Sequence, residues 1–122
     1  MTESLIRAYY AAYNALDVDA LSALLDPDVA LESAAGTQVG REAYLATYDF
    51  MTSRFIDQME PQRIEMNGKV ASVRIRDVLT ARVDVPDFMG QSISKGQQLI
   101  LDLAGRYTIE TGRIVRIELQ PA

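Results

Sequence analysis

Residues 70–84, Val-Ala-Ser-Val-Arg-Ile-Arg-Asp-Val-Leu-Thr-Ala-Arg-Val-Asp, alternate with a period of two. A strand of that length with one apolar side needs a sheet beside it and a layer above it, and no other stretch constrains the fold as much. The apolar side reads Ala71, Val73, Ile75, Asp77, Leu79, Ala81 and Val83, so Asp77 stands where a core side chain belongs. An isolated ionised carboxylate is very expensive to bury. Asp77 is therefore paired, protonated, or facing a cavity that holds water or a ligand. The structural alternative is a β-bulge that turns it outward toward an arginine.

Upstream the period is helical. Glu3–Leu16 carries Leu5, Ile6, Tyr9, Ala12, Tyr13 and Leu16 on one stripe, with Thr2 or Ser4 as its cap. Asp17 caps a short second helix, Val18–Leu25, which Asp26-Pro27-Asp28 ends. A short strand, Val29–Ser33, and a loop from Gly36 to Gly40 lead to a third helix, Arg41–Gln58, which buries Tyr44, Leu45, Tyr48, Met51, Phe55 and Ile56.

From Pro61 onward the period is two. Arg63–Met66 and Lys69–Asp84 flank Asn67-Gly68, a hairpin turn whose two residues both take positive φ and set Ile64 opposite Ala71. Val85–Gly96, containing Pro86, Gly90 and Gly96, reads as a long connection or an irregular hairpin tip that lips a pocket. Gln97–Ile109 is the next strand, with Leu99, Leu101, Leu103, Tyr107 and Ile109 on one face. A three-residue loop, Glu110-Thr111-Gly112, places Tyr107 opposite Val115 and Leu103 opposite Leu119.

Helices followed by a sheet that is apolar on one face give an α+β architecture, one domain over residues 1–122. The other face mixes Arg74, Arg76, Arg82, Asp102, Arg106, Arg116 and Glu118 with Val78, Ile100 and Ile114, which suits solvent or a partly polar dimer contact. A net charge of −5 argues against nucleic acid, whose binding rests on clustered Lys and Arg. No apolar run approaches the roughly 18 residues of a membrane span, and no secretory signal is visible, so a cytoplasmic protein with no membrane partner is expected. With no cysteine and no histidine, thiolate nucleophiles, disulfides, histidine-based triads and ordinary zinc sites are excluded. Acid–base chemistry then falls to Asp, Glu, Tyr, Lys or water, and no cofactor is expected.

The stretch Ile6-Arg-Ala-Tyr-Tyr-Ala-Ala-Tyr-Asn-Ala-Leu-Asp-Val-Asp-Ala-Leu-Ser-Ala-Leu-Leu-Asp-Pro-Asp-Val resembles the opening of bacterial-type SnoaL-like and ketosteroid-isomerase-like proteins of the nuclear transport factor two-like superfamily. Val39-Gly-Arg-Glu-Ala-Tyr, and Asp87-Phe-Met-Gly through Thr111-Gly-Arg-Ile-Val, match the same pattern. The resemblance implies a cone-shaped domain, with three N-terminal helices packed on a curved antiparallel sheet enclosing a pocket, and a homodimer. It sets Tyr9 where ketosteroid isomerases keep an oxyanion-stabilising tyrosine. Ser33 falls where they keep the aspartate base, and Gly105 where their protonated aspartate and the acid–base aspartate of SnoaL-type cyclases stand. Two of three family positions are therefore vacant, and fold alone transfers no activity.

Asp77 is accordingly the candidate general base and Tyr9 the candidate donor to an oxyanion. Tyr9, Tyr10, Tyr13, Tyr44 and Tyr48 cluster on two helices, either as pocket donors or as core rings with satisfied hydroxyls. Tyr13, Tyr48, Phe55, Leu103 and Tyr107 are the expected ligand-lining residues. Glu32 and Asp49 read as surface positions. Asp17/Asp19 and Asp26/Asp28 resemble ligand pairs for a hard cation, but capping and turn formation explain them and no metal site is expected. The expected partner is a small apolar organic ligand. The expected chemistry is isomerisation, cyclisation or dehydration by proton transfer on a carbonyl-type compound. The alternatives are a non-catalytic ligand-binding or dimerisation module, and an epoxide hydrolase of the limonene type, which needs two carboxylates and an arginine where Asp77 supplies one member.

Overall fold

The computed structural model describes residues 2–122, apart from the side chain of Thr2, so Thr2 as first cap lies outside the described residues. The helices are α1 (Thr2–Asn14), α2 (Val18–Leu24) and α3 (Arg41–Arg54). The strands are β1 (Leu25–Ser33), β2 (Gly36–Val39), β3 (Phe55–Asn67), β4 (Val70–Ala81), β5 (Val85–Phe88), β6 (Gln91–Ile93), β7 (Gln98–Glu110) and β8 (Arg113–Pro121). Six strands form one sheet in the order β2-β1-β8-β7-β4-β3, and β5 and β6 make a separate hairpin within the stretch that reads as an irregular connection. The large sheet is antiparallel except for the parallel β1–β8 pair. Register shifts in β1, β3 and at the β7–β8 pair bend it, and the helices cover its concave face. No described helix is long and apolar enough to cross a membrane.

The junctions depart from the sequence expectation in informative ways. Leu16 adopts φ 58°, the Asp17 amide donates to the Ala12 carbonyl at 3.0 Å, and the Leu16 amide to the Tyr13 carbonyl at 3.4 Å. This pair of bonds closes α1 through a left-handed residue, so Leu16 ends up half exposed rather than on the buried stripe. Asp17 then caps α2 by accepting from the Ala20 amide at 3.2 Å. Asp26-Pro27-Asp28 lies inside β1, at the register shift between Leu25 and Ala30 where a proline without an N–H is tolerated. Gly36–Val39, expected as loop, pairs with β1 as an edge strand.

The largest correction concerns α3, which stops at Arg54 and passes directly into β3. Phe55 is its C-cap with φ −133°, and Phe55–Gln58 are strand rather than helix. Phe55 is buried as expected, but Ile56 points to the exposed outer face.

Two turns also differ. Asn67 pairs with Val70, so the β3–β4 turn is Gly68-Lys69, with positive φ at Gly68 alone, as a type II′ turn requires. Ile64 then faces Val73 instead of Ala71, a shift of two residues that keeps the apolar faces together. Thr111-Gly112 form a two-residue turn with φ 53° and 75°, both positive as in type I′. A bulge at Val115 follows, since Ile109 pairs with Ile114 but Thr108 with Arg116. The extra residue reverses the phase of β8. Ile114 and Ile117 enter the core, Tyr107 faces Ile117, and Leu119 faces Gly105. Ile114 is therefore not on the outer face.

Candidate functional site

The inner face carries two separate apolar clusters. One contains Tyr9, Tyr10, Tyr13, Tyr44, Tyr48 and Tyr107 with Ile6, Met59, Val73, Ile75 and Ile117. The other, smaller, contains Phe55, Leu79, Ala81, Val85 and Ile93, with Met51, Phe88, Leu99 and Leu101 half-buried against it. Along β3 the inner residues run Phe55, Asp57, Met59, and along β4 they run Ile75, Asp77, Leu79. A pair of carboxyl groups thus fills the row between the clusters. Met59 pairs with Asp77 and Asp57 with Leu79, which makes the two aspartates diagonal neighbours on the same face.

Asp57 and Asp77 are 5% and 4% exposed, the only buried charged residues among those described. No described ion pair reaches either. Tyr13 donates to Asp57 Oδ2 at 2.7 Å, and Oδ1 of each aspartate is buried without a partner. Burial first, then the hydrogen bond to Asp57 and its charge, push the Asp77 carboxyl up to about 9. Asp77 therefore holds its proton at neutral pH. The outward bulge considered for Asp77 does not occur, because the β3–β4 register shift falls at Pro61/Arg63.

The tyrosines satisfy one another. Tyr9 and Tyr44 share a short hydroxyl–hydroxyl bond, Tyr10 donates to Tyr107 at 2.8 Å, and Tyr48 donates to the Tyr13 carbonyl at 2.6 Å. Their rings meet edge-on or tilted, as Tyr13 and Tyr48 do at 4.7 Å between centroids. Burial is the largest cause holding all six hydroxyls above the usual phenol range, so they serve as neutral donors.

Of the residues singled out in the sequence, Asp77, Tyr9, Tyr13, Tyr48 and Tyr107 come together at the larger cluster, with Leu103 half-buried against it. Tyr9 spends its hydroxyl on Tyr44 and bonds neither carboxyl. Phe55 lies in the smaller cluster, its ring 4.8 Å from that of Phe88. Ser33 sits at the β1–β2 turn, accepting from the Ala35 amide at 3.3 Å, and Glu32 pairs with Arg116 at 2.6 Å on the outer face. At Gly105 an added Cβ would lie 3.0 Å from Tyr107 Cε1 and 3.1 Å from Ile75 Cδ1, so side chains already occupy that space. Asp57 is the site residue that sequence reasoning misses, because it falls within the stretch read as helix. Two surface clefts of about 440 and 430 Å³, one at the hairpin turns beside Leu5 and one beside Arg41, do not include the aspartates. Leu101, half-buried against the smaller cluster, faces Asp77 across β4 and β7.

The SnoaL-like domain family matches residues 6–117, and the chain belongs to that family. Among solved structures it is similar to a candidate polyketide cyclase from Pseudomonas putida, at 26% identity, covering 97% of this chain and 89% of that one with a TM-score of 0.83. A second candidate polyketide cyclase, from Sinorhizobium meliloti, is 26% identical over 96% of this chain and 94% of that one, with a TM-score of 0.74. An LEH-like epoxide hydrolase from M. tuberculosis shares the fold, with a TM-score of 0.79 at 17% identity over 98% of this chain and 80% of that one. No curated protein matches the sequence.

Proposed function

We propose that this SnoaL-like protein is a cofactor-free acid–base catalyst that isomerises, cyclises or dehydrates a small, uncharged, apolar carbonyl compound. The observation that carries the reading is the buried Asp57–Asp77 pair, which has one unpartnered oxygen on each carboxyl and no cation among the described residues. One carboxyl takes a proton from the carbon beside the substrate carbonyl while the other gives its proton to the carbonyl oxygen. The pair holds one proton before and after, so the enol forms without net charge. The missing cationic partner also bears on substrate charge, since an anionic group would be repelled by the ionised aspartate in a poorly solvated site. The similarity to two candidate polyketide cyclases supports cyclisation within this class.

The test is α-proton exchange of β,γ-unsaturated ketones and 1,3-diketones in D₂O, followed by NMR. Wild-type protein is expected to accelerate exchange over buffer, and Asp77→Asn and Asp57→Asn each to lower it by about 10²–10⁴-fold. Binding of these probes with no exchange would replace catalysis by ligand binding. The second carboxylate also supports a second reading, epoxide hydrolysis with one acid opening the ring and one base activating water. The arginine of the limonene-type arrangement has no counterpart among the described ion pairs, and incorporation of ¹⁸O from water into a diol would distinguish this chemistry.

The outer face supports a homodimer. Ile56, Val78 and Ile100 neighbour one another there, and Ile100 is 53% exposed. Their surroundings carry both signs of charge, as a self-complementary two-fold contact needs. Sedimentation at micromolar concentration is expected to give twice the monomer mass, and a monomer boundary there would remove the proposal.

A further inference from the structure

The two aspartates are alike in burial but not in hydrogen bonding. Tyr13 Oη lies 2.7 Å from Asp57 Oδ2 and donates to it, and among the described residues no hydroxyl or amide donates to Asp77. Asp77 is flanked by Ile75 and Leu79 on its own strand and faced by Met59 and Leu101 on its neighbours. Tyr13 itself is fixed twice, by the Tyr48 hydroxyl on its carbonyl at 2.6 Å and by the edge-on Tyr48 ring at 4.7 Å. A phenol held this way bonds the carboxylate form of its acceptor more strongly than the acid form, and so favours the charge there. The remaining groups near the pair are Tyr9 and Tyr10 on α1, Tyr48 on α3, and Tyr107 on β7. Their hydroxyls bond other tyrosines or the Tyr13 carbonyl, and only the Tyr13 hydroxyl reaches a carboxyl of the pair.

We infer that Tyr13 is a positioning residue that makes Asp57 the proton acceptor of the pair and Asp77 the proton holder. This rests on the acid–base reading above and deepens it, because it assigns a direction to the proton movement. The substrate carbonyl is bonded by the Asp77 carboxyl group, and its carbon-bound proton goes to Asp57. Tyr13 touches no reacting atom and acts only through Asp57. The elevated Asp77 value agrees with the assignment.

The experiment is ¹³C NMR of the aspartate side-chain carboxyls at pH 7, without substrate, assigned with Asp57→Asn and Asp77→Asn. In wild-type protein the Asp77 signal is expected at its acid-form position and the Asp57 signal at its carboxylate position. Tyr13→Phe removes one hydrogen bond to a charged group, and the proton partition between the aspartates is expected to move toward Asp57 by about tenfold to a hundredfold. Tyr48→Phe, which leaves the Tyr13 hydroxyl in place, is expected to leave the partition unchanged. The reverse assignment in wild-type protein overturns the inference even if no variant folds, and so does a Tyr13→Phe spectrum identical to wild type. Because the measurement needs no turnover, a protein without the proposed activity can still satisfy it, and an active one can still fail it.

Discussion

The two faces of the sheet treat carboxylates in opposite ways. On the outer face Glu60 meets Arg76 at 3.0 Å, with 49% and 43% of the two side chains exposed, and Arg116 lies between Glu32 and Glu118 at 2.6 and 3.6 Å. On the inner face Asp57 and Asp77 have no cation among the described residues. Arg76 is the chain neighbour of Asp77, yet strand alternation sends one outward and the other inward, so they cannot pair. Ten arginines in a chain of 122 residues therefore form no ion pair with the two buried acids found among the described residues. A charged pair at the surface is the ordinary solvated state of a strand. An uncompensated acid pair in the interior is a standing cost, tolerated by holding a proton, and such costs gather at sites with chemistry to perform.

The largest test of this contrast is the pH dependence of stability. Folded Asp77 releases its proton near 9, and the unfolded chain releases it near 3.8. Between those values the native state binds a proton that the unfolded state has lost, so stability falls as pH rises through the window, by up to about 1.4 kcal/mol per pH unit. The favourable contribution is complete below the unfolded value and gone above the folded one. Asp77→Asn removes this slope, and urea unfolding at pH 5 and pH 8 is expected to show the variant gaining on wild type at the higher pH. Parallel behaviour would mean that Asp77 is ionised in the fold. A loss of about 3–5 kcal/mol in the variant at pH 7 would instead mean that a cation pairs with it after all.

Only half of this contrast is legible in the sequence. Asp77 announces itself because it interrupts a long alternation between Ile75 and Leu79. Asp57 does not, since Tyr48, Met51 and Phe55 continue a helical spacing and no glycine or proline marks the end of α3 at Arg54. Periodicity therefore carries the helix over the first four strand residues. The recoverable signal is the alternation Phe55, Asp57, Met59, which joins the period-two pattern after Pro61 if it is read backward. Ile114 shows the opposite failure. The turn Thr111-Gly112 is visible, but the bulge at Val115 that reverses β8 carries no residue signature, and only the packing of Ile114 and Ile117 selects it.

A smaller test asks whether the inner face could hold an acid elsewhere. Gly105 stands one inner position beyond Leu103 toward Ile109, and a methyl group added there would meet Tyr107, Ile75 and Leu119 at 3.0, 3.1 and 3.2 Å. Tyr107 cannot give way freely, because Tyr10 bonds its hydroxyl. Gly105→Ala is expected to destabilise by about 1–3 kcal/mol through overpacking, measured by urea unfolding. A neutral or stabilising outcome would show that this row has spare room, and that its lack of a carboxylate is not a matter of space.

The smallest expected effect lies on the outer face. Arg76 and Glu60 form a cross-strand pair in a region that solvent reaches, where Coulomb attraction is screened and two long side chains lose freedom to hold one geometry. Arg76→Ala is expected to change stability by less than about 1 kcal/mol at neutral pH, and by less still in high salt. A double-mutant cycle with Glu60→Ala isolates the pair from the packing of the arginine stem along the strand. A coupling energy well above about 1 kcal/mol, insensitive to salt, would place the pair in a desolvated setting. The outer face would then be covered in solution, as a second copy of the chain lying over Ile56 and Ile100 would cover it, and the difference between the faces would narrow.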